Sequence, residues 1–369
     1  MIPPHVYAHA LATFFAPIAE HLRDPAVSEV MINGPYAVYV ERHGRIEQSA
    51  ARFEDDAALL AALRVLAQYV DRPLDAEHPI LEARLPDGSR VEAVLAPVAK
   101  DGAHIAIRRF SPDRLSCEGM VASGALSEEC LQWLRALVES RHNIVISGGA
   151  GTGKTSLLNV LSSFIGDEER TVVLEDGREL SPRSAHVVQL EARPADQRGR
   201  GGVSIRALLH AALRMRPDRI VVGEIRDGAA LDLVQAMTSG HAGCLATLHA
   251  SHPVDALARL ETMALMAQLE LPLRALRGQV SAAVDVVVQL DRLRSGLRVV
   301  THVAEVTGLD QRGAYRVQEV FMRRAGSLAS AGELVLVGCS QKMRERIARH
   351  AVHLPSGLSA AREDQAVGS

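Results

Sequence analysis

The stretch that most constrains this chain is Ser147-Gly-Gly-Ala-Gly-Thr-Gly-Lys-Thr-Ser156, which fits the spacing GxxxxGK[ST] from Gly148 to Thr155. Ahead of it, Asn143-Ile-Val-Ile146 has the length and β-branched composition of a buried strand. Behind it, Ser156-Leu-Leu-Asn-Val-Leu161 has helical spacing. In a strand, glycine loop and helix so ordered, backbone N–H groups and the helix N-terminus converge on an anion, and the glycines let the main chain wrap close to it. A glycine-rich turn that merely contains Lys-Thr would lack that strand and helix on either side. The loop therefore predicts a nucleoside triphosphate site. Gly148, Gly149, Ala150, Gly151, Thr152, Gly153 and Ser156 form the cradle, Lys154 reaches the β- and γ-phosphates, and the Thr155 hydroxyl holds Mg²⁺. No guanine-reading Asn-Lys-x-Asp stretch is present, which favours ATP.

At 369 residues the chain is long for one domain and ample for two, each with its own core. Its 41 Lys and Arg against 44 Asp and Glu give a net charge of −3, so there is no overall basic footprint for nucleic acid. Aromatic residues at 3% leave few platforms for stacking single-stranded bases. Both observations weigh against a nucleic-acid motor, and no direct nucleic-acid partner is expected. Cys117, Cys130, Cys244 and Cys339 are far apart without a CxxC pair, which indicates neither a zinc site nor a disulfide framework. No charged segment followed by an apolar run opens the sequence, and no stretch approaches the roughly 18 apolar residues that span a bilayer. A cytoplasmic protein is expected.

Apolar spacing predicts one helix over residues 4–22, two short strands at 27–32 and 36–40, and a helix over 54–70. Three more strands follow at 80–85, 90–95 and 104–110. Residues 1–108 are thus read as a small α+β domain and the aperiodic 109–125 as a linker. A helix over 127–140 leads into the glycine loop. Strands at 171–174, 186–190, 219–222 and 243–248 then alternate with helices at 203–215, 227–239 and 253–268. That alternation predicts an α/β fold with a mainly parallel sheet covered on both faces over residues 126–322, extended by apolar runs at 283–290 and 298–309. Residues 323–369 read as a C-terminal segment with one short helix at 341–351 and a polar, disordered tail.

Hydrolysis also needs acids near the cradle, and carboxylates at the carboxyl ends of parallel strands face the ligand crevice of such sheets. Glu175-Asp-Gly-Arg-Glu179 follows one predicted strand and Gly223-Glu224 another, although turn acids are often simply solvated. His241 and His249 flank a further strand, where an imidazole can sense a phosphate or have a structural role. Arg90 and Arg108 are either solvated surface groups or arginine fingers. A nucleotide-gated scaffold without catalysis would keep the cradle but lose the acids, and the acids are present.

Taken together, residues 24–42 (DPAVSEVMINGPYAVYVER), 85–110 (LPDGSRVEAVLAPVAKDGAHIAIRRF), 143–159, 171–180 (TVVLEDGREL), 212–250 and 257–272 resemble the secretion and conjugation ATPases of the type II/type IV secretion superfamily. Within it the chain most resembles the tight-adherence (Flp-type) pilus assembly branch. The resemblance implies an N-terminal sensor-like α+β domain followed by a RecA-like P-loop ATPase domain, assembled as a homo-oligomeric hexameric ring. It implies that Glu179 positions the attacking water, that Glu224 acts on Mg²⁺ through water, and that His249, the second residue of a histidine box begun by His241, approaches the γ-phosphate. It implies that Arg90 and Arg108 contact nucleotide. The function implied is a cytoplasmic, ATP- and Mg²⁺-dependent motor that docks peripherally on an inner-membrane platform protein and powers pilus assembly or protein secretion. The alternative is a conjugative DNA-transfer ATPase. The tetracysteine zinc motif of many type II assembly ATPases is absent, which places the chain outside that subgroup.

Overall fold

In the computed structural model, residues 10–42, 44–110, 116–195, 199–269, 271–324, 332–350 and 352 are described. The chain divides into two units, one of residues 1–114 with 196–200 and the other holding the remainder.

In the first unit six strands form an antiparallel sheet in the order β3-β2-β1-β6-β5-β4. They are β1 (Val27–Asn33), β2 (Val38–Arg42), β3 (Arg45–Gln48), β4 (Ile80–Arg84), β5 (Arg90–Val94) and β6 (His104–Arg108). Alternation sends Val30, Ile32, Leu81, Val91, Ile105 and Ile107 into a core shared with Leu59, Leu63 and Leu66 of the helix Asp56–Tyr69. Asp55 starts that helix by accepting the N–H of Ala58 at 2.7 Å. The single helix expected over 4–22 is a correction: residues 10–14 are helical, a 3₁₀ turn covers Ala16–Ile18, and Ala19–Arg23 resumes. Pro17 lacks an N–H and ends the first turn, and residues 4–9 lie outside the described ones. Strand β3 was not expected from sequence.

The second unit carries a nine-stranded sheet in the order β15-β14-β13-β12-β7-β11-β10-β8-β9. Its strands are β7 (Ile144–Gly148), β8 (Thr171–Glu175), β9 (Val187–Glu191), β10 (Arg219–Val222), β11 (Leu245–Leu248), β12 (Val286–Arg292), β13 (Arg298–Leu309), β14 (Tyr315–Arg323) and β15 (Leu334–Leu336). From β12 through β7, β11, β10 and β8 to β9 every pairing is parallel, and β13 to β15 extend it antiparallel. Successive strand residues face opposite layers. Ile144, Ile146 and Val173 join Trp133, Leu134 and Leu157, whereas Val145, Val172 and Leu174 join Leu209, Leu231, Leu257 and Leu276. Both faces are therefore covered, as the apolar runs required.

The linker reading at 109–125 is corrected in part. Residues 111–115 lie outside the described ones, but Cys117–Ala122 is a short helix whose cap, Ser116, accepts the N–H of Gly119 at 3.1 Å and whose Met120 is buried. In this unit the helix Leu273–Ala283 and the strands β14 and β15 were not expected from sequence. After residue 323, β15 pairs with β14, and the helix Gln341–Arg349 buries Met343 and Ile347 in the first of the two layers. The polar tail expected at the end lies outside the described residues.

Candidate active site

Strand β7 delivers the glycine loop, and the helix Lys154–Ser162 leaves it. Gly151 (φ 69°) and Gly153 (φ 94°) adopt the left-handed backbone that turns the loop back on itself. Gly153 is also the helix N-cap, and with no side chain to cap it the first turn offers its N–H groups to an anion. Thr152 Oγ1 donates to Gly149 O at 3.0 Å and braces the loop internally. Ala150 and Gly149 lie on its exposed rim, while Thr155 and Ser156 occupy the half-buried first helical turn.

Lys154 is 8% exposed, and its ammonium donates to Gly148 O at 3.1 Å and Gly149 O at 2.8 Å. The same group lies 3.3 Å from His249 Nδ1. An ammonium can only donate, so Nδ1 accepts and a neutral His249 carries its proton on Nε2. Burial first, and then the Lys154 charge, lower the His249 pKa, with Glu224 opposing them, so the ring is neutral at neutral pH. Its Nε2 faces Glu224 Oε1 at 2.8 Å without hydrogen-bond alignment, and that oxygen is buried with no aligned donor.

The second carboxylate oxygen of Glu224 accepts from Arg226 Nη2 at 2.7 Å, and Arg226 Nη1 is 3.5 Å from Asp176 Oδ2. Burial works to raise the Glu224 pKa. The bonded Arg226, with His249 and Lys154 beyond it, outweighs burial and holds the carboxyl below its ordinary range. Lys154, His249, Glu224, Arg226 and Asp176 thus form a chain of contacts along the carboxyl edge of β7, β11, β10 and β8, neighbouring strands in the sheet. Glu179 follows β8 in the same edge and is half-buried. The loop bearing it is fastened to the phosphate-loop helix, because Asn159 Oδ1 accepts the N–H of Ser181 at 2.9 Å.

His241 is a different matter. It precedes β11 at the amino edge of the sheet, whereas His249 follows β11 at the carboxyl edge, so only His249 joins Lys154. Arg90 and Arg108 belong to the first unit, where they are directly paired across β5 and β6. Sequence reasoning gave no role to three further residues. Arg226 links two acids, Asn159 ties the acid loop, and Gln289 of β12 accepts from Ser147 Oγ while its Nε2 donates to Ala250 O at 3.1 Å. Arg226 stood in a recognised stretch beside Glu224. Nothing local marks Gln289, whose partner Ser147 is 142 positions away.

Among described residues no helix is long and apolar enough to cross a membrane. The chain matches the family described as Type II/IV secretion system protein over residues 12–348. A putative conjugal transfer protein of Mycobacterium tuberculosis is 35% identical over 283 residues, covering 75% of this chain and 80% of that protein. The type IV secretion system protein VirB11 of Bartonella quintana is 31% identical over 330 residues, covering 78% and 90%. Among solved structures, the ATPase DotB of Legionella pneumophila superposes with a TM-score of 0.56 at 19% identity, covering 82% of each chain, a likeness of fold. The chain belongs to the Type II/IV secretion system protein family.

Proposed function

We propose that this chain is a motor that hydrolyses ATP with Mg²⁺ and uses the cycle to power pilus assembly or protein secretion. The observation that supports this reading best is the contact chain from Lys154 through His249 to Glu224, which gathers a phosphate cation, a neutral imidazole and a carboxylate at one sheet edge. Thr155 and Glu224 offer hard oxygen donors, and the buried Glu224 Oε1 without an aligned donor suits a hydrated Mg²⁺. When bound with nucleotide, Mg²⁺ offsets charge on the β- and γ-phosphates. Lys154 exchanges its loop carbonyls for phosphate oxygens, and the first helical turn, with Thr155 and Ser156, presents N–H groups to the anion. Glu179 orients the attacking water and accepts its proton. His249, sharing Lys154 with the phosphate, registers whether the γ-position is filled. Arg90 and Arg108 supply further cationic charge to the transferred group, a role carried by the family resemblance.

Glu179→Gln should lower kcat by about 10²–10⁴-fold, the usual contribution of a positioned general base, with ATP binding retained. Unchanged kcat would remove Glu179 from the base position. A homo-hexameric ring and an inner-membrane platform protein at the cytoplasmic face complete the reading. Mixing Lys154→Ala subunits with wild type tests the ring: coupling makes activity fall faster than the wild-type fraction, and strict proportionality contradicts it. The conjugal-transfer name of the Mycobacterium relative supports a second reading, a DNA-transfer ATPase. Salt-sensitive stimulation of hydrolysis by single-stranded DNA would favour that reading, and its absence the first.

A further inference from the structure

We propose that Glu175 is the positioning residue for Glu179: a buried carboxylate that fixes the acid loop from beneath and takes no proton itself. Glu175 ends β8 and is 4% exposed. Its Oε1 accepts two N–H groups, those of Glu179 and Leu180, each at 2.8 Å. A single carboxylate oxygen therefore holds the backbone of the residue read as the base and of the residue after it. Charge-assisted bonds to main-chain N–H groups are the strong kind, and here they lie out of water.

The surroundings leave Glu175 little freedom. A Cβ built on Gly223, next to Glu224, would stand 3.1 Å from Glu175 Cγ and 3.6 Å from its Cα, so the bare glycine lets the carboxylate lie under the neighbouring strand end. The main chain of Glu175 accepts the N–H of Ala192, and Gly223 donates to Leu174 O, both at 2.8 Å. Beyond Glu179 the loop is fastened again. Leu180 is fully buried, its carbonyl accepts from Gln189 Nε2 at 2.9 Å, and Ser181 donates to Asn159 on the phosphate-loop helix. Glu179 thus rides on a segment whose backbone is held by Glu175 at its own amide and by the helix two residues later. Burial raises the Glu175 pKa against the pull of the two N–H groups. With one oxygen committed to two main-chain N–H groups and 4% of its surface exposed, Glu175 serves to hold the loop, whereas Glu179 sits half-buried on it.

This inference rests on the reading of Glu179 as the base, and its test is built to fail separately. Amide hydrogen exchange at residues 179 and 180, kcat, and the affinity for a fluorescent ATP analogue are measured for wild type, Glu175→Ala, Glu175→Asp and Glu175→Gln. Asp keeps the charge but withdraws the acceptor by one methylene; Gln keeps an acceptor oxygen in reach. Ala and Asp should lose protection at both amides and lower kcat by about 10²-fold, the cost of misplacing a reacting group by roughly 1 Å, with analogue affinity unchanged. Gln should retain protection and most of kcat. In a Glu179→Gln background Glu175→Ala should change kcat by less than about twofold, because both act through one group. Retained protection and kcat in Glu175→Asp, or an undiminished effect in the Glu179→Gln background, overturns the proposal. A wild-type protein that releases no phosphate instead overturns the hydrolysis reading, and the exchange data still decide the tie.

Discussion

Gly148→Ala gives a prediction whose size follows from the geometry of the phosphate loop. A Cβ at position 148 would lie 2.5 Å from Thr152 Oγ1 and 2.7 Å from the carbonyl oxygen of Leu290. Thr152 cannot rotate without giving up its bond to Gly149 O, and Leu290 O is main chain in the strand paired in register with Gly148. Restoring an ordinary contact of about 3.4 Å requires β7 and β12 to part locally by about 0.7 Å, and overpacking of that kind costs roughly 1–3 kcal/mol. At about 2–4 °C per kcal/mol for a unit of this size, Tm should fall by roughly 2–12 °C. If the strain is relieved by moving the loop instead, ATP affinity should fall by about 5- to 150-fold, since 1.4 kcal/mol is tenfold. Gly149→Ala is the control. Its nearest neighbour would be Thr152 Cγ2 at 3.7 Å, an ordinary contact, so stability should change by less than about 0.5 kcal/mol. Thermal unfolding of both variants and titration of Gly148→Ala with a fluorescent ATP analogue read these effects. Wild-type Tm and affinity in Gly148→Ala, or equal loss of stability in Gly149→Ala, would refute the steric reasoning.

Two further outcomes are expected. Arg219 is 1% exposed and donates to Glu169 at 3.0 Å, to Gly243 O at 3.0 Å and to Val138 O; Glu169 also pairs with Arg141 and Val138 O also accepts the Arg141 N–H, so Arg219→Met should destabilise by about 1–3 kcal/mol, chiefly by taking the donor from Gly243 O; a loss under about 0.5 kcal/mol in chemical denaturation would contradict it. His142 is buried, and burial, with Arg346 and His350 nearby, pushes its pKa down to about 3, so the unfolded chain binds the extra proton as pH falls below the ordinary 6.5. Its contribution to stability is intact above that value and, at 1.36 kcal/mol per pH unit, about 2 kcal/mol is lost by pH 5, a loss that His142→Asn should remove; equal pH dependence in the two proteins would count against the assignment.

How much of this was legible beforehand depended on whether the signal was local. The glycine loop carries its own spacing, and the apolar runs at β7, β8, β10 and β11 are continuous because those strands are covered on both faces. The strand-end position drew attention to Glu224 and to the stretch Glu175–Glu179, and the family resemblance, not spacing, singled out Glu179 within it. Pro17 broke a helix whose apolar periodicity ran through it, so propensity lost to a single ring. Strand β14 stayed hidden because Glu319 interrupts the apolar row of Tyr315, Val317 and Phe321. The helix Leu273–Ala283 does show Leu276, Val280 and Ala283 at helical spacing, but it runs directly into the apolar stretch that becomes β12. The tie from Glu175 to the Glu179 amide was invisible, since only burial and the two N–H bonds reveal it. Gln289, Asn159 and the Arg226 link to Asp176 join positions far apart in the chain, which no local pattern encodes.

We place phosphate chemistry at the glycine loop, through Lys154, whose ammonium already lies between the loop carbonyls and His249. The most direct measurement is steady-state phosphate release from ATP and Mg²⁺ by purified wild type and Lys154→Ala. Wild type should turn over ATP and the variant should lose at least about 10²-fold, the scale of removing one preorganised charge from a transferring group. Equal turnover in the two proteins, or none in the wild type, would contradict it.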